Sequence, residues 1–282
     1  MDRPREHREK ARRRLAALLA CGEAFDVVEA ALVVAAEEYA TLDVARERRK
    51  IESIGLEAAR RADRLQNPFA RLDAVRAYLF EELGFRGNLE HYDDPRNSFL
   101  NDVLARRTGI PLSLSLIFVE AARHAGFEAC GIGLPGHFVA RVERGDRRIL
   151  VDPFNGGQVI TEEDCRQLVA RSTGRATLFR SELLVPATPR AMVARMLVNL
   201  KRIFLNQEDY ARALGAVERL LMVAPEDPRE VRDRGFLLAH LGRPGAAVAD
   251  LENYLAVAPG APDADAVRGR LAWLLRKMSE AN

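Results

Sequence analysis

The chain has 282 residues, of which 48% are hydrophobic and 30% charged, and its net charge is only +2. That balance excludes a disordered chain and allows one large domain or two of ordinary size, at roughly 100–200 residues each. The three cysteines, Cys21, Cys130 and Cys165, are too far apart for a disulfide framework or a CxxC metal pattern, so a reducing cytoplasmic location is expected.

The first 65 residues read as helices. A basic run (Arg3, Arg5, Arg8, Lys10, Arg12, Arg13, Arg14) is broken by Glu6 and Glu9, which suits a solvated helix face. Direct nucleic-acid binding through this run would want aromatic or further basic support, and none follows. Val27, Val28, Ala31, Leu32 and Ala35 recur at helical spacing, as do Ile54, Leu56, Ala58 and Ala59 within a second helix over Ile51–Leu65. Asn67-Pro68 breaks the chain before an amphipathic helix over 69–83, which Gly84 stops. The turn-rich "GFRGN" and "YDDPRN" form a loop, and Asn97-Ser98 is placed to cap a short helix over Phe99–Arg106.

Pro111 opens the next helix, where its missing N–H costs nothing, and Gly126 closes it. Strand periodicity follows over Glu128–Gly133, Phe138–Val142 and Arg148–Val151, with "ERGDR" as a hairpin turn. From residue 190 the period is helical again. "LLMVAPEDP" recurs as "YLAVAPGAP" after 34 residues, the period of a helix-turn-helix repeat of tetratricopeptide type. A closing helix over 263–279 carries Leu271, Trp273, Leu274 and Leu275. The expected core residues are Leu114, Ile117, Phe118, Ile132, Phe138, Val142 and Leu150 in the middle. In the tail they are Leu200, Phe204, Val217, Leu221, Leu238, Leu251 and Leu255. No stretch approaches ~20 uncharged apolar residues, so no membrane span is expected, and Leu15–Leu19 is too short for a secretory core.

The segment "GLPGHFVARVERGDRRILVDPFNGG" puts His137 at the mouth of one strand and Asp152 at the end of the next. An acid that orients a base in a hydrolytic triad is arranged this way. "GFRGN", "DPRNSFLNDVLARRTGIPLSLS", "GLPGHFVAR", "DPFNGG" and "RDRGFLLAHLG", in this order, resemble the transglutaminase-like superfamily, relatives of papain-type cysteine enzymes. More narrowly they resemble its SirB-type bacterial branch with a tetratricopeptide tail. The resemblance spans roughly residues 25–275. It implies an α+β fold: a helical N-terminal layer over 1–66, a papain-like core with a small antiparallel sheet over 67–188, and an all-helical tail over 189–282.

Under the resemblance, His137 falls on the superfamily's catalytic base and Asp152 on the acid that orients it. The superfamily's nucleophilic cysteine sits in the first turn of the central helix, after a glycine. Here Gly109-Ile110 leads into Pro111, and no cysteine lies between 97 and 129. Ser113 is the nearest hydroxyl and the weak candidate for a replacement nucleophile. Two residues along a helix turn a side chain by about 200°, so Ser113 and Pro111 point different ways. Its alternative role is to bond its own helix turn. Cys130, on the preceding strand, is expected to be a small buried hydrophobe and Cys165 structural. Asn97 and Arg96 read first as bracing the loop and second as positioning a partner, and Gly156 with Gly157 as permitting positive φ angles or giving backbone access to a bound group.

The histidines at 7, 91, 124, 137 and 240 show no metal-ligand spacing, and no phosphate-binding glycine motif is present, so neither metal nor cofactor is expected. With the cysteine missing, His137 and Asp152 read as a relic pair that holds strand and loop together. The favoured function is non-catalytic binding of a protein or peptide through the repeat tail or the core cleft, and the resemblance adds an association with regulation. The alternative is a divergent hydrolase or acyl-transfer enzyme using the His-Asp pair with water or a non-cysteine nucleophile. Neither membrane nor nucleic acid is an expected partner.

Overall fold

The computed structural model describes residues 3–280 apart from 146, with side chains from residue 6 onward. Arg3 and Arg5 of the basic run, and the centre of the "ERGDR" turn, therefore lie outside the described side chains. Contacts divide the chain into two compact units, Met1–Met192 and Val193–Asn282.

The first unit opens with α1 (Arg3–Leu19), α2 (Val27–Glu38), α3 (Val44–Ala62) and α4 (Pro68–Arg76). Side-chain caps set the starts: Asp26 accepts from Val28 and Glu29 N–H, Asp43 from Arg46 N–H, and Asn67 from Phe69 N–H with Pro68 in the first turn. Part of the basic run of α1 is neutralised within the molecule, because Arg12 meets Glu37 at 2.8 Å, Arg13 meets Glu9 at 3.3 Å and Arg14 meets Glu29 at 2.6 Å. The helix expected over 69–83 changes character midway: after α4 the chain widens into a π turn over Ala77–Glu82.

These helices pack in the same unit as the α+β part. A two-residue parallel pair, β1 (Arg86–Gly87) and β2 (Thr108–Gly109), brackets α5 (Leu100–Arg106). Then comes α6 (Pro111–His124), buried at every residue from Pro111 to Ala122. A helix that is apolar nearly all round belongs in a core. Gly55 lets α3 come close, since a Cβ there would stand 2.3 Å from the His124 ring. Four antiparallel strands follow in the order β3 (Glu128–Leu134), β4 (His137–Arg144), β5 (Arg147–Asp152) and β6 (Gln158–Ile160). Strand alternation sends Phe138, Ala140, Val142 and Val151 to one face, against α6. Ile132, Leu134 and Val139 go to the other face. There they pack on Cys165 and Val169 of α7 (Glu162–Thr173) and on Phe179. A Thr161–Asp164 capping box starts α7.

The tail comprises α8 (Pro189–Asn206), α9 (Tyr210–Val223), α10 (Pro228–His240), α11 (Pro244–Val257) and α12 (Ala264–Glu280). Leu200, Phe204, Val217, Leu238 and Leu251 are buried as expected, as are the expected residues of the middle except the half-buried Leu150. Leu221 and Leu255 are only half-buried, and their neighbours Leu220 and Tyr254 take the core positions. The two corrections are one residue apart in the same sense and stand at equivalent places in the repeat. Within α12, Leu274 alone of the expected four is buried. No described helix is long and apolar enough to cross a membrane.

Candidate functional site

The site begins at the head of α6. Pro111 occupies its first turn, and Ile110 precedes it in extended backbone. The Ser113 hydroxyl turns back on this start. It donates to the Asn97 carbonyl at 2.7 Å, with the Ile110 carbonyl at 3.2 Å, and accepts from Ile110 N–H at 3.1 Å. Its proton and one of its lone pairs are engaged by backbone, and none of these bonds reaches His137. These bonds are those of a brace at the helix start, the alternative role of Ser113.

Asn97 anchors the same corner from the other side. It is fully buried, and its amide donates to the carbonyls of His91 (2.8 Å) and Tyr92 (3.3 Å). Its side-chain oxygen accepts from Asn88 Nδ2 at 3.1 Å. These bonds tie Asn97 into the 88–97 loop, and its own carbonyl accepts from Ser113 of α6. It does not cap α5, whose N-cap residue is Phe99 with no side-chain bond. Arg96 is exposed and clasps Asp94 through Nε and Nη2 at 2.8–3.0 Å, which likewise fixes the loop.

His137 opens β4, directly after the Pro135-Gly136 turn, and Asp152 closes β5. Alternation places both on the α7 face of the sheet, at one end. His137 Nε2 stands 3.1 Å from both carboxylate oxygens of Asp152. Asp152 also accepts from Phe154 N–H (3.1 Å), Asn155 N–H (3.4 Å) and Asn155 Nδ2 (2.7 Å), so it starts the 3-10 turn Pro153–Asn155 while it holds the histidine. Burial raises the Asp152 carboxyl, but the bonds and charge of His137 and the Asn155 donors outweigh it, and the group ends below its ordinary value. An ionised carboxylate only accepts, so in the neutral imidazole Nε2 carries the proton and the basic lone pair lies on Nδ1. That is the tautomer a general base needs. Yet His137 is 5% exposed and Asp152 1%. The Phe154 ring stands edge-on to the imidazole at 5.9 Å, and Tyr92 stands edge-on to Phe154 at 6.0 Å. Phe154 in turn fits over Gly87, where a Cβ would lie 2.6 Å from its ring.

Gly156 takes a left-handed backbone (φ 68°) and faces open space, while Gly157 (φ 68°) lies under the Phe80 ring. The pair turns the chain, and Arg76 Nε donates to the Gly157 carbonyl. Neither cysteine of this region is an activated thiol. Cys165 is fully buried, and burial followed by the carboxylates of Asp152, Asp164 and Glu162 pushes it up to about 12. Burial likewise raises Cys130. Among the described residues no three His, Cys, Asp or Glu side chains gather as a metal site. Asn155 and Phe154 are the contributors that sequence reasoning missed. The signal was present: an Asp-Pro followed by Asn is the pattern of a side-chain-capped turn.

The comparisons with known proteins fit this arrangement. Residues 45–198 match the profile of the transglutaminase-like superfamily, and residues 200–272 match that of the tetratricopeptide repeat. A UPF0162 protein of Xylella fastidiosa (strain 9a5c) is 35% identical over 255 residues, 89% of this chain and 91% of the relative. One from Vibrio cholerae is 31% identical over 200 residues, covering 71% of this chain and 74% of the relative. F-box only protein 21 of Mus musculus is 29% identical over 179 residues, 61% of this chain but only 28% of that much longer protein. No solved structure matches the chain significantly. On the match to more than half its length, and on relatives that span most of it, the chain belongs to the transglutaminase-like superfamily and carries a tetratricopeptide-repeat tail.

Proposed function

We propose that this chain is a non-catalytic transglutaminase-like protein that acts in regulation by binding other proteins. The observation that carries the reading is the head of α6. Proline stands where the resemblance puts the nucleophile, and the nearest hydroxyl, Ser113, is bonded to the Asn97 and Ile110 backbone. The buried His137–Asp152 pair then serves as a clasp between β4 and the turn after β5. The tetratricopeptide repeats support binding, because such repeats act as protein-interaction surfaces. The occurrence of a similar stretch inside a much longer mammalian chain suits a module that can be joined to other segments.

The test is affinity capture of stoichiometric partners with the full chain and with His137→Asn, followed by reconstitution from purified components. The reading expects a partner that both forms retain with similar affinity. Absence of any reconstituted complex would sink it.

A second reading is favoured by one observation. Asp152 fixes the tautomer of His137 that a general base uses, which suits a divergent hydrolase acting through water. It requires turnover that depends on His137.

A further inference from the structure

The tail has an unfilled position that its own repeat exposes. Val223 at the end of α9 and Val257 at the end of α11 are equivalent under the 34-residue shift. Val223 is 3% exposed, whereas Val257 is 65% exposed. Beside Val257 lies a groove of about 390 Å³. Pro225, Pro228 and Val231 form one wall, and Asn253, Tyr254 and Val257 form the other. Because α10 and α11 run antiparallel, the start of one and the end of the other meet at this rim.

The Tyr254 wall is held in place. Tyr254 is buried, its hydroxyl donates to Asp263 at 2.5 Å, and the Arg232 guanidinium lies 5.7 Å over its ring. Arg232 is itself tied to Asp263 and Asp233. A groove whose ring does not have to be ordered on binding loses less entropy when it is filled. The two prolines offer no N–H, but the Asn253 side chain, exposed at the rim, carries both a donor and an acceptor that a bound backbone can use.

Charge picks the occupant. Glu226 lines the groove, is exposed, and has no ion-pair partner within 4 Å among the described residues. Arg229, the cation of the same turn, is engaged with Asp227 at 2.8 Å. The negative end of the α11 dipole also falls here, while Asp227 caps the opposing start of α10. We infer that this groove binds an extended segment of a partner protein. The segment sets an apolar side chain against Tyr254 and Val257, and a lysine or arginine beside it meets Glu226. The inference rests on the proposed binding role and names the chemistry of its partner.

The test uses the full chain and an immobilised nonapeptide library with leucine fixed at the centre and the flanking positions varied. Wild type is expected to enrich lysine and arginine next to the leucine. Glu226→Lys should reverse that preference toward aspartate and glutamate, and Val257→Asp should weaken the selected peptide at least tenfold. Both side chains are exposed, so unfolding midpoints should match wild type. No enrichment over a library with alanine at the centre would overturn the inference, as would an unchanged preference in Glu226→Lys or full binding by Val257→Asp. A reconstituted partner that binds Val257→Asp at full strength removes the groove but leaves the binding role standing.

Discussion

His137 and Asp152 illustrate how one pair of residues can carry either chemistry or architecture. The carboxylate of Asp152 gathers the imidazole of His137, two backbone N–H groups and the Asn155 amide. A buried carboxylate with these donors is stable only while it is ionised. Its folded pKa lies below the ordinary value of about 3.9. The stability it contributes is therefore present above that value and is lost as pH falls through the lower, folded one. Asp152→Asn is expected to lower stability by about 1–3 kcal/mol at pH 7, through the weakened acceptor for buried donors. The gap to wild type should narrow below about pH 4. Urea unfolding across pH 2.5–7 checks this, and a gap independent of pH would count against the ionised clasp. The histidine and the aspartate were legible from the strand-hairpin-strand pattern alone. The bonds of Ser113 to its own helix turn were an open alternative, but its bond to the Asn97 carbonyl was not legible, because that acceptor is 16 residues away and is brought up only by the folded loop.

At the scale of elements, the sequence told most where a period repeats and least where a short piece is set by its neighbours. The central helix and three strands follow from their apolar patterns. The strand β6, three residues long, has too few positions to show an alternation. The π turn after α4 keeps a helical composition and differs only in its hydrogen bonds. In the tail, Leu220 and Leu221 are adjacent and both apolar, so composition could not decide which faces in. The two glycines after Asp152 show the same limit. Both have left-handed backbones, yet only Gly157 has the Phe80 ring against it, 2.2 Å from where a Cβ would stand. Gly156→Ala should cost about 1 kcal/mol, the backbone penalty alone. Gly157→Ala should cost about 2–4 kcal/mol, because the ring must also move. Thermal or denaturant unfolding of the two variants separates these values, and equal costs would contradict the packing of Phe80 on this turn.

At the scale of the whole molecule, the chain joins a transglutaminase-like unit to helical repeats, and both were recognisable from ordered motifs and the 34-residue period. What sequence could not supply was the state of the would-be catalytic corner. It showed that a cysteine was missing, but not that the nearest hydroxyl reaches the Asn97 carbonyl or that the His-Asp pair is buried with the Phe154 ring against it. The proposed function rests on this corner performing no chemistry. Its most direct test is turnover of ester, thioester and glutamine-amide substrates by wild type and His137→Ala, with the unfolding free energy of both measured in parallel. The account predicts no turnover above buffer in either protein and a loss of about 1–3 kcal/mol of stability in the variant. Turnover by wild type that vanishes in a variant of unchanged stability would contradict it and make His137 a working base.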